Sequence, residues 1–125
     1  MKTKAELVKL LKTDVQAFNA YRQDLFDEKI YDLDLSGVNL SGTNLKGANL
    51  KYTNLSGTNL RGANLSNADL SYVNLKDANL EDAILEKTRL SFSDLSGANF
   101  EKSNFRSASL AGVRFYGYPL MRVIF

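Results

Sequence analysis

Seven serines, Ser36, Ser41, Ser56, Ser66, Ser71, Ser91 and Ser96, fall at one position of a five-residue period. A serine becomes a nucleophile when a base stands beside it, and no such base accompanies these. The chain has no histidine and no cysteine, which removes the common nucleophile–base pairs, disulfides and thiolate metal sites. The carboxylates Asp69, Glu81, Asp82, Glu86 and Asp94 are spaced to meet Arg or Lys, which favours their charged form over acid–base work. The asparagines Asn39, Asn59, Asn79 and Asn99 offer ligating oxygens, but their regular spacing reads as a hydrogen-bonded ladder on the outside of a sheet. No catalytic, cofactor or metal residue is assigned, and the chain is read as a non-enzyme.

The elements that hold these residues follow from the period. Leucine occupies every fifth position from Leu35 to Leu95; Ile30 precedes the run, and Phe100, Phe105, Leu110, Phe115, Leu120 and Phe125 extend it. Two residues before each leucine sits a small or β-branched residue (Val38, Thr43, Ala48, Thr53, Ala63, Ala68, Ala78), and one before is usually Asn or Asp. Five is neither a helical nor a simple strand period. A chain that turns a corner every five residues coils into a tube, and a fixed repeat decides architecture before anything else.

Charge pattern counts the sides. Four five-residue faces per coil stack residue i on i+20. Opposite charges recur at that spacing in Arg61/Glu81, Asp69/Arg89, Asp82/Lys102, Glu86/Arg106 and Asp94/Arg114, against like pairs at Glu81/Glu101 and Lys102/Arg122. Three sides would stack i on i+15 and give only like pairs: Lys46/Arg61, Arg61/Lys76, Glu86/Glu101 and Lys87/Lys102. Each pair is weak, about 0.2–1 kcal/mol, but the signs choose four sides.

The Ala-Asn-Leu-x-Gly unit resembles the pentapeptide-repeat family over about residues 31–125. The resemblance implies an all-β solenoid, a right-handed quadrilateral β-helix of nearly five coils. Family membership leaves function open, because a fold hosts many activities. The expected organisation is a helical cap over residues 1–30 and the β-helix over 31–125, in one domain. The leucine and the residue two before it point inward, since side chains alternate along extended chain. The small position enlarges towards the ends, at Leu33, Val38, Val113, Tyr118 and Val123. Glycines at Gly37, Gly42, Gly47, Gly57, Gly62 and Gly97 suit a turn that needs positive φ. Where Asn67, Asp77, Asp82 or Lys87 stands instead, another turn type is expected.

Residues 1–30 lack the repeat and carry helical spacing in Leu7, Leu11, Val15 and Phe18, with Leu10, Tyr21 and Leu25 alongside. Thr3-x-x-Glu6 and Thr13-x-x-Gln16 read as capping boxes. Helices are expected over about 4–12 and 14–25, or as one kinked helix, covering the mouth of the tube as terminal repeats require. Bacterial relatives often carry such a leading segment. A helix that binds a partner is the alternative.

Tyr52, Tyr72 and Phe92 stand twenty residues apart at the corner where other faces use glycine, and form an aromatic stripe. Arg89 on the stripe's face, and Ile84, break the Asn/Asp rule nearby. The stripe either stiffens one edge or binds a protein. At the far end, register turns Tyr118, Leu120, Val123 and Phe125 inward and leaves Tyr116, Met121 and Ile124 outward and apolar. That surface is expected to pair two molecules as a homodimer, as relatives pair through their C-terminal coils.

Net charge is +2 over 125 residues and is spread along the chain, so no basic patch for nucleic acid is expected. The charged N-terminus does not read as a signal peptide, and no apolar run reaches membrane length. A cytoplasmic location is expected. The favoured function is a non-catalytic interaction scaffold for an unknown protein partner. The alternative is a DNA-mimicking gyrase inhibitor or protector, as in the family's quinolone-resistance branch. That branch resembles DNA through a longer acidic rod, from which this sequence departs in charge and length.

Overall fold

The computed structural model describes residues 1–117 and 122–125. Two helices, α1 (Lys4–Thr13) and α2 (Val15–Asp27), precede the repeat, and two short strands, β1 (Leu33–Asp34) and β2 (Thr53–Asn54), pair in parallel. Helix and repeat meet through one continuous apolar core.

Among the described residues beyond Asp34, parallel bridges join residues twenty apart, and they fall into four columns. One column runs Asn39, Asn59, Asn79, Asn99; a second Asn44, Asn64, Ile84, Asn104, Ile124; a third Asn49, Asp69, Arg89, Ser109; a fourth Asn54, Asn74, Asp94, Arg114. Four columns mean four faces, as the charge pattern requires. Each rung repeats the same bonds: Leu40 N–H donates to Asn59 O at 2.7 Å, Gly42 N–H to Arg61 O at 2.8 Å, and Asn59 N–H to Val38 O at 3.0 Å. Faces this short satisfy their backbone only by stacking, so the tube stands as a column of coils.

The inward register holds. Leu35 through Leu95 are fully buried, and Ala48, Ala63, Ala68, Ala78, Ala83 and Ala98 are at most 1% exposed. Hydroxyls in the small column bond to main chain: Thr58 Oγ1 donates to Leu55 O at 2.7 Å and Ser93 Oγ to Leu90 O at 2.6 Å. Thr53 Oγ1 is the exception, buried with no partner among the described residues. The outward Asn and Asp do not form a side-chain ladder along their columns. Each turns onto its own chain, as Asn39 Oδ1 does in accepting from Ser41 N–H at 3.0 Å. Such local bonds fix the turn that follows.

Corners correct one expectation. Asn67, Asp77, Asp82 and Lys87 hold φ of 57–59°, in the same left-handed region as Gly42 at 64°. Stacking of the flanking coils dictates the corner, so the residue conforms to the turn and the backbone does not change its hand. Holding a non-glycine residue there costs about 1–2 kcal/mol.

Paired charges are corrected in part. Arg61–Glu81 and Asp69–Arg89 lie at 3.8 and 3.7 Å. Asp94 meets Lys76 at 3.7 Å, Glu86 Oε1 instead accepts from Asn104 Nδ2 at 2.7 Å, and Arg122 pairs with Glu101. Asp82 and Lys102 both sit at exposed corners and make no ion pair among the described residues. Long side chains reach neighbours off the vertical, so the register is right where individual partners are not.

The cap is two helices. Thr3 caps α1 in a complete capping box with Glu6. For α2 the cap is Asp14, accepting from Ala17 N–H at 3.0 Å, because Thr13 Oγ1 is already donating to Lys9 O at 2.8 Å within α1. Leu7, Leu11, Phe18 and Leu25 press onto the first coil. Three polar side chains close part of its open edge. Asn19 receives Asn49 N–H at 2.7 Å and donates to Gly47 O at 3.0 Å. Buried Arg22 donates to Tyr31 O and Lys51 O at 2.9 and 2.5 Å, and Lys4 Nζ to Ser36 O at 2.9 Å. Burial lowers the pKa of Arg22, and its Nε and Nη1 have no partner among the described residues.

At the far end, Phe125 stacks on Phe105 at 5.7 Å, in the inward column as expected, yet is 55% exposed because no described residue covers it.

Candidate functional site

The candidate site is the aromatic corner. Tyr52, Tyr72 and Phe92 hold φ of 64, 58 and 63°, so successive corners aim their rings along one line. Their centroids are 5.2 Å apart at each step, with planes 23° and 18° from parallel. The spacing follows the strand spacing of the coils. Ring faces are spent on each other and ring edges face solvent; Tyr52, Tyr72 and Phe92 are 36, 50 and 58% exposed.

The stack runs further than the twenty-residue register shows. Tyr31 lies 5.9 Å from Tyr52, and Phe26 of α2 lies 5.7 Å from Tyr31. Arg22 covers the Phe26 ring at 4.6 Å and Lys51 approaches the Tyr52 ring at 5.2 Å. Register hid Tyr31, because the residue twenty before Tyr52 is Asp32. At the other end the ring of Phe92 lies over Gly112, where a Cβ would stand 2.5 Å from Phe92 Cδ1. The ladder therefore joins the helical cap to the fourth coil, over five aromatic residues.

The other sequence-predicted residues scatter. Arg89 shares the face that leads to Phe92, and its exposed guanidinium pairs with Asp69 at 3.7 Å. Ile84 belongs to the column between Asn64 and Asn104, one face earlier, and is 38% exposed. Tyr116 and Ile124 are 71 and 45% exposed at the far end, away from the ladder; Met121 lies outside the described residues, as do Tyr118 and Leu120.

Little else has the makings of chemistry. Asp34 is held below the usual carboxylate range by the Ser36 hydroxyl and amide, and then by Lys4. Burial pushes Asp94 up, but the Ser96 hydroxyl and amide, with Lys76 and Arg114, outweigh it and leave its pKa lowered. Both stay charged. Among the described residues no acidic or histidine cluster is placed to hold a metal ion, and no helix is long and apolar enough to cross a membrane.

Four bridge columns with Leu inside and Asx turns outside are the geometry of one repeat class, and the sequence matches the family described as pentapeptide repeats over residues 31–67, 48–86 and 83–117, in 8 copies. The chain belongs to the pentapeptide-repeat family. Solved pentapeptide-repeat proteins with similar sequence include one from the thylakoid lumen of Arabidopsis thaliana, 31% identical over 70% of this chain, with a TM-score of 0.45. This chain spans 64% of that protein. Another, from Nostoc, is 33% identical over 77% of this chain and 93% of its own, with a TM-score of 0.43. The plasmid-mediated fluoroquinolone resistance protein QnrB1 is 20% identical over 72% of this chain and 59% of its own, with a TM-score of 0.28. No curated protein matches. Pentapeptide-repeat membership accounts for the repeat that builds the tube and sets the position of the ladder's corner.

Proposed function

We propose that this pentapeptide-repeat protein is a non-catalytic scaffold that docks a protein partner along the ladder Tyr31, Tyr52, Tyr72, Phe92. The observation that carries it is continuity: four exposed aromatic residues follow one another ring to ring, where other exposed large apolar residues, such as Ile84 and Tyr116, are in no such stack among the described residues. Left-handed strain does not single these corners out, since Lys87 and Lys102 bear it too. Exposed contiguous aromatics do, because such patches concentrate at protein interfaces. Rings already locked in a stack lose little further freedom on binding. Arg89 at the margin supplies charge, and Ile84 contributes only to a partner that wraps onto the preceding face.

A Tyr52→Ser, Tyr72→Ser, Phe92→Ser variant tests this. Circular dichroism should keep the parent's β-signal while partners cross-linked in the native host are lost. Unchanged partners would reduce the ladder to an edge stiffener.

The same reading treats the tube as right-handed, the hand that parallel crossovers favour, and places the protein in the cytoplasm. It treats the exposed Tyr116, Ile124 and Phe125 as a self-association surface for a second copy, tested by light scattering of the parent and of Ile124→Asp. An acidic DNA-like rod finds no support in outward columns that are mostly neutral Asn, on a chain of net charge +2.

A further inference from the structure

The cap closes only part of the first coil. In later coils the outward residue donates its N–H to the coil before: Asn59 to Val38 O, Asn79 to Thr58 O and Asn99 to Ala78 O, at 2.9–3.0 Å. Asn39 heads that column, and its N–H has no partner among the described residues. Asn44 heads the next column, after which Asn64 N–H donates to Thr43 O at 3.0 Å, and its N–H is likewise unpartnered. The carbonyls of Asn39 and Asn44 match those of Asn59 and Asn64, which accept from Leu40 and Leu45, and they too accept nothing among the described residues. On the other two faces Asn19, Arg22 and Lys4 do the closing. Nothing from the helices replaces a coil over Val38–Asn39.

A groove stands there instead. It lies between α1 and the first coil, holds about 600 Å³, and is lined by Ala5, Val8 and Val38 with Lys4, Lys9 and Lys12. A smaller groove of about 300 Å³ continues it past Lys12 to Asn44 and Lys46. Lys4 is engaged by Asp34 at 3.5 Å. Lys9, Lys12 and Lys46 have no acidic partner among the described residues.

The geometry points to a binding site for an extended acidic peptide segment of a partner protein, which adds as a short strand to the open edge at Asn39. The peptide takes the place of the missing coil. One of its carbonyls accepts from Asn39 N–H, and two of its amides donate to the carbonyls of Asn39 and Ser41, as Leu40 and Gly42 donate one coil lower. Main-chain pairing gives such added strands their affinity and side-chain pockets their selectivity. Alternation then sends apolar side chains to Val8 and Val38 and acidic ones to Lys9 and Lys12. Charge complementarity selects acid over base. The site is independent of the aromatic ladder, so either can fail alone.

The probe is a capped pentapeptide alternating glutamate and valine, titrated to about 1 mM, where weak motif binding is detectable, into isotope-labelled protein. The amide resonance of Asn39 should move saturably. Methylating the two peptide nitrogens that face the Asn39 and Ser41 carbonyls should abolish that shift. Lys9→Glu with Lys12→Glu, both exposed and outside the core, should weaken the glutamate peptide at least tenfold and admit a lysine–valine peptide. Three results overturn the proposal: no saturable shift at Asn39, equal binding of the methylated peptide, or Asn39 shifts that grow with protein concentration alone. The last would assign the groove to a second copy of this chain.

Discussion

Single residues in this protein are constrained by a bore that admits one large and one small side chain per face. Leu75 and Ala78 are at most 1% exposed. Leu75→Ala removes buried volume that neighbouring coils cannot close, and should cost about 2–5 kcal/mol. Ala78→Leu adds volume the bore cannot take, and should cost about 1–3 kcal/mol. Urea titration of both checks the register; a neutral Ala78→Leu would contradict it. Thr53 offers the opposite sign. Its hydroxyl is buried without a partner, and one coil below the same column holds Val73. An unpaired buried hydroxyl costs about 1–3 kcal/mol, so Thr53→Val should stabilise by about 1 kcal/mol. A loss of stability in the same titration would mean the hydroxyl is bonded in solution. Arg22 stands four after Phe18 and three before Leu25 on one helical face, but a charged side chain is almost never fully buried unless paired, so spacing by itself does not mark it as buried.

Elements here have little stability of their own. α1 and α2 have 10 and 13 residues, too short to persist alone in water. Each five-residue face makes its ladder bonds only to the coils above and below. Cap and tube therefore depend on each other. Deleting residues 1–26 removes Leu7, Leu11, Phe18 and Leu25 from the mouth, and with them the Asn19 and Arg22 bonds to the first coil. An exposed apolar mouth with an unpaired edge invites aggregation, and size exclusion of the truncated protein should show it. A monodisperse truncation of unchanged melting temperature would make the helices a separate arm. Asp14→Ala is a milder probe: it removes the α2 cap, should cost about 1 kcal/mol, and should lower the melting midpoint without aggregation.

Over the whole molecule, charge is nearly balanced, with 16 basic and 14 acidic residues and no histidine. No side chain whose ordinary pKa lies between pH 5 and 8 is present, so the melting temperature should be flat across neutrality. Acid is different. Asp94 and Asp34 have lowered pKa values in the folded state. A carboxylate of that kind stabilises fully above its unfolded pKa, near 3.9, and the contribution fades as pH falls through the lower folded value. Melting temperature should therefore drop as pH falls below about 4, and drop less in Asp94→Asn. An equal drop in parent and variant would remove Asp94 as a source. The same balance leaves the surface without a single-sign field, so the ladder and the lysine-rimmed groove are local features on a neutral column.

Sequence alone determined the tube. A five-residue period and opposite charges twenty apart leave one stacking register, because any slip carries Leu75 and its equivalents out of the bore. It also placed Tyr52, Tyr72 and Phe92 in line, since register is all that needs to be known for that. Tertiary structure decided what register does not carry. Phe26 and Tyr31 joined the ladder because the helical cap folds back onto the first coil at a spacing unrelated to twenty. Corners kept positive φ at Asp82 and Lys87 because stacked neighbours hold the backbone whatever residue stands there. The backbone N–H and C=O groups of Asn39 and Asn44 have no partner among the described residues because Asn19, Arg22 and Lys4 reach only two of four faces. Contacts between a non-repeating segment and a repeating one have no period to read, and only the packed chain fixes them.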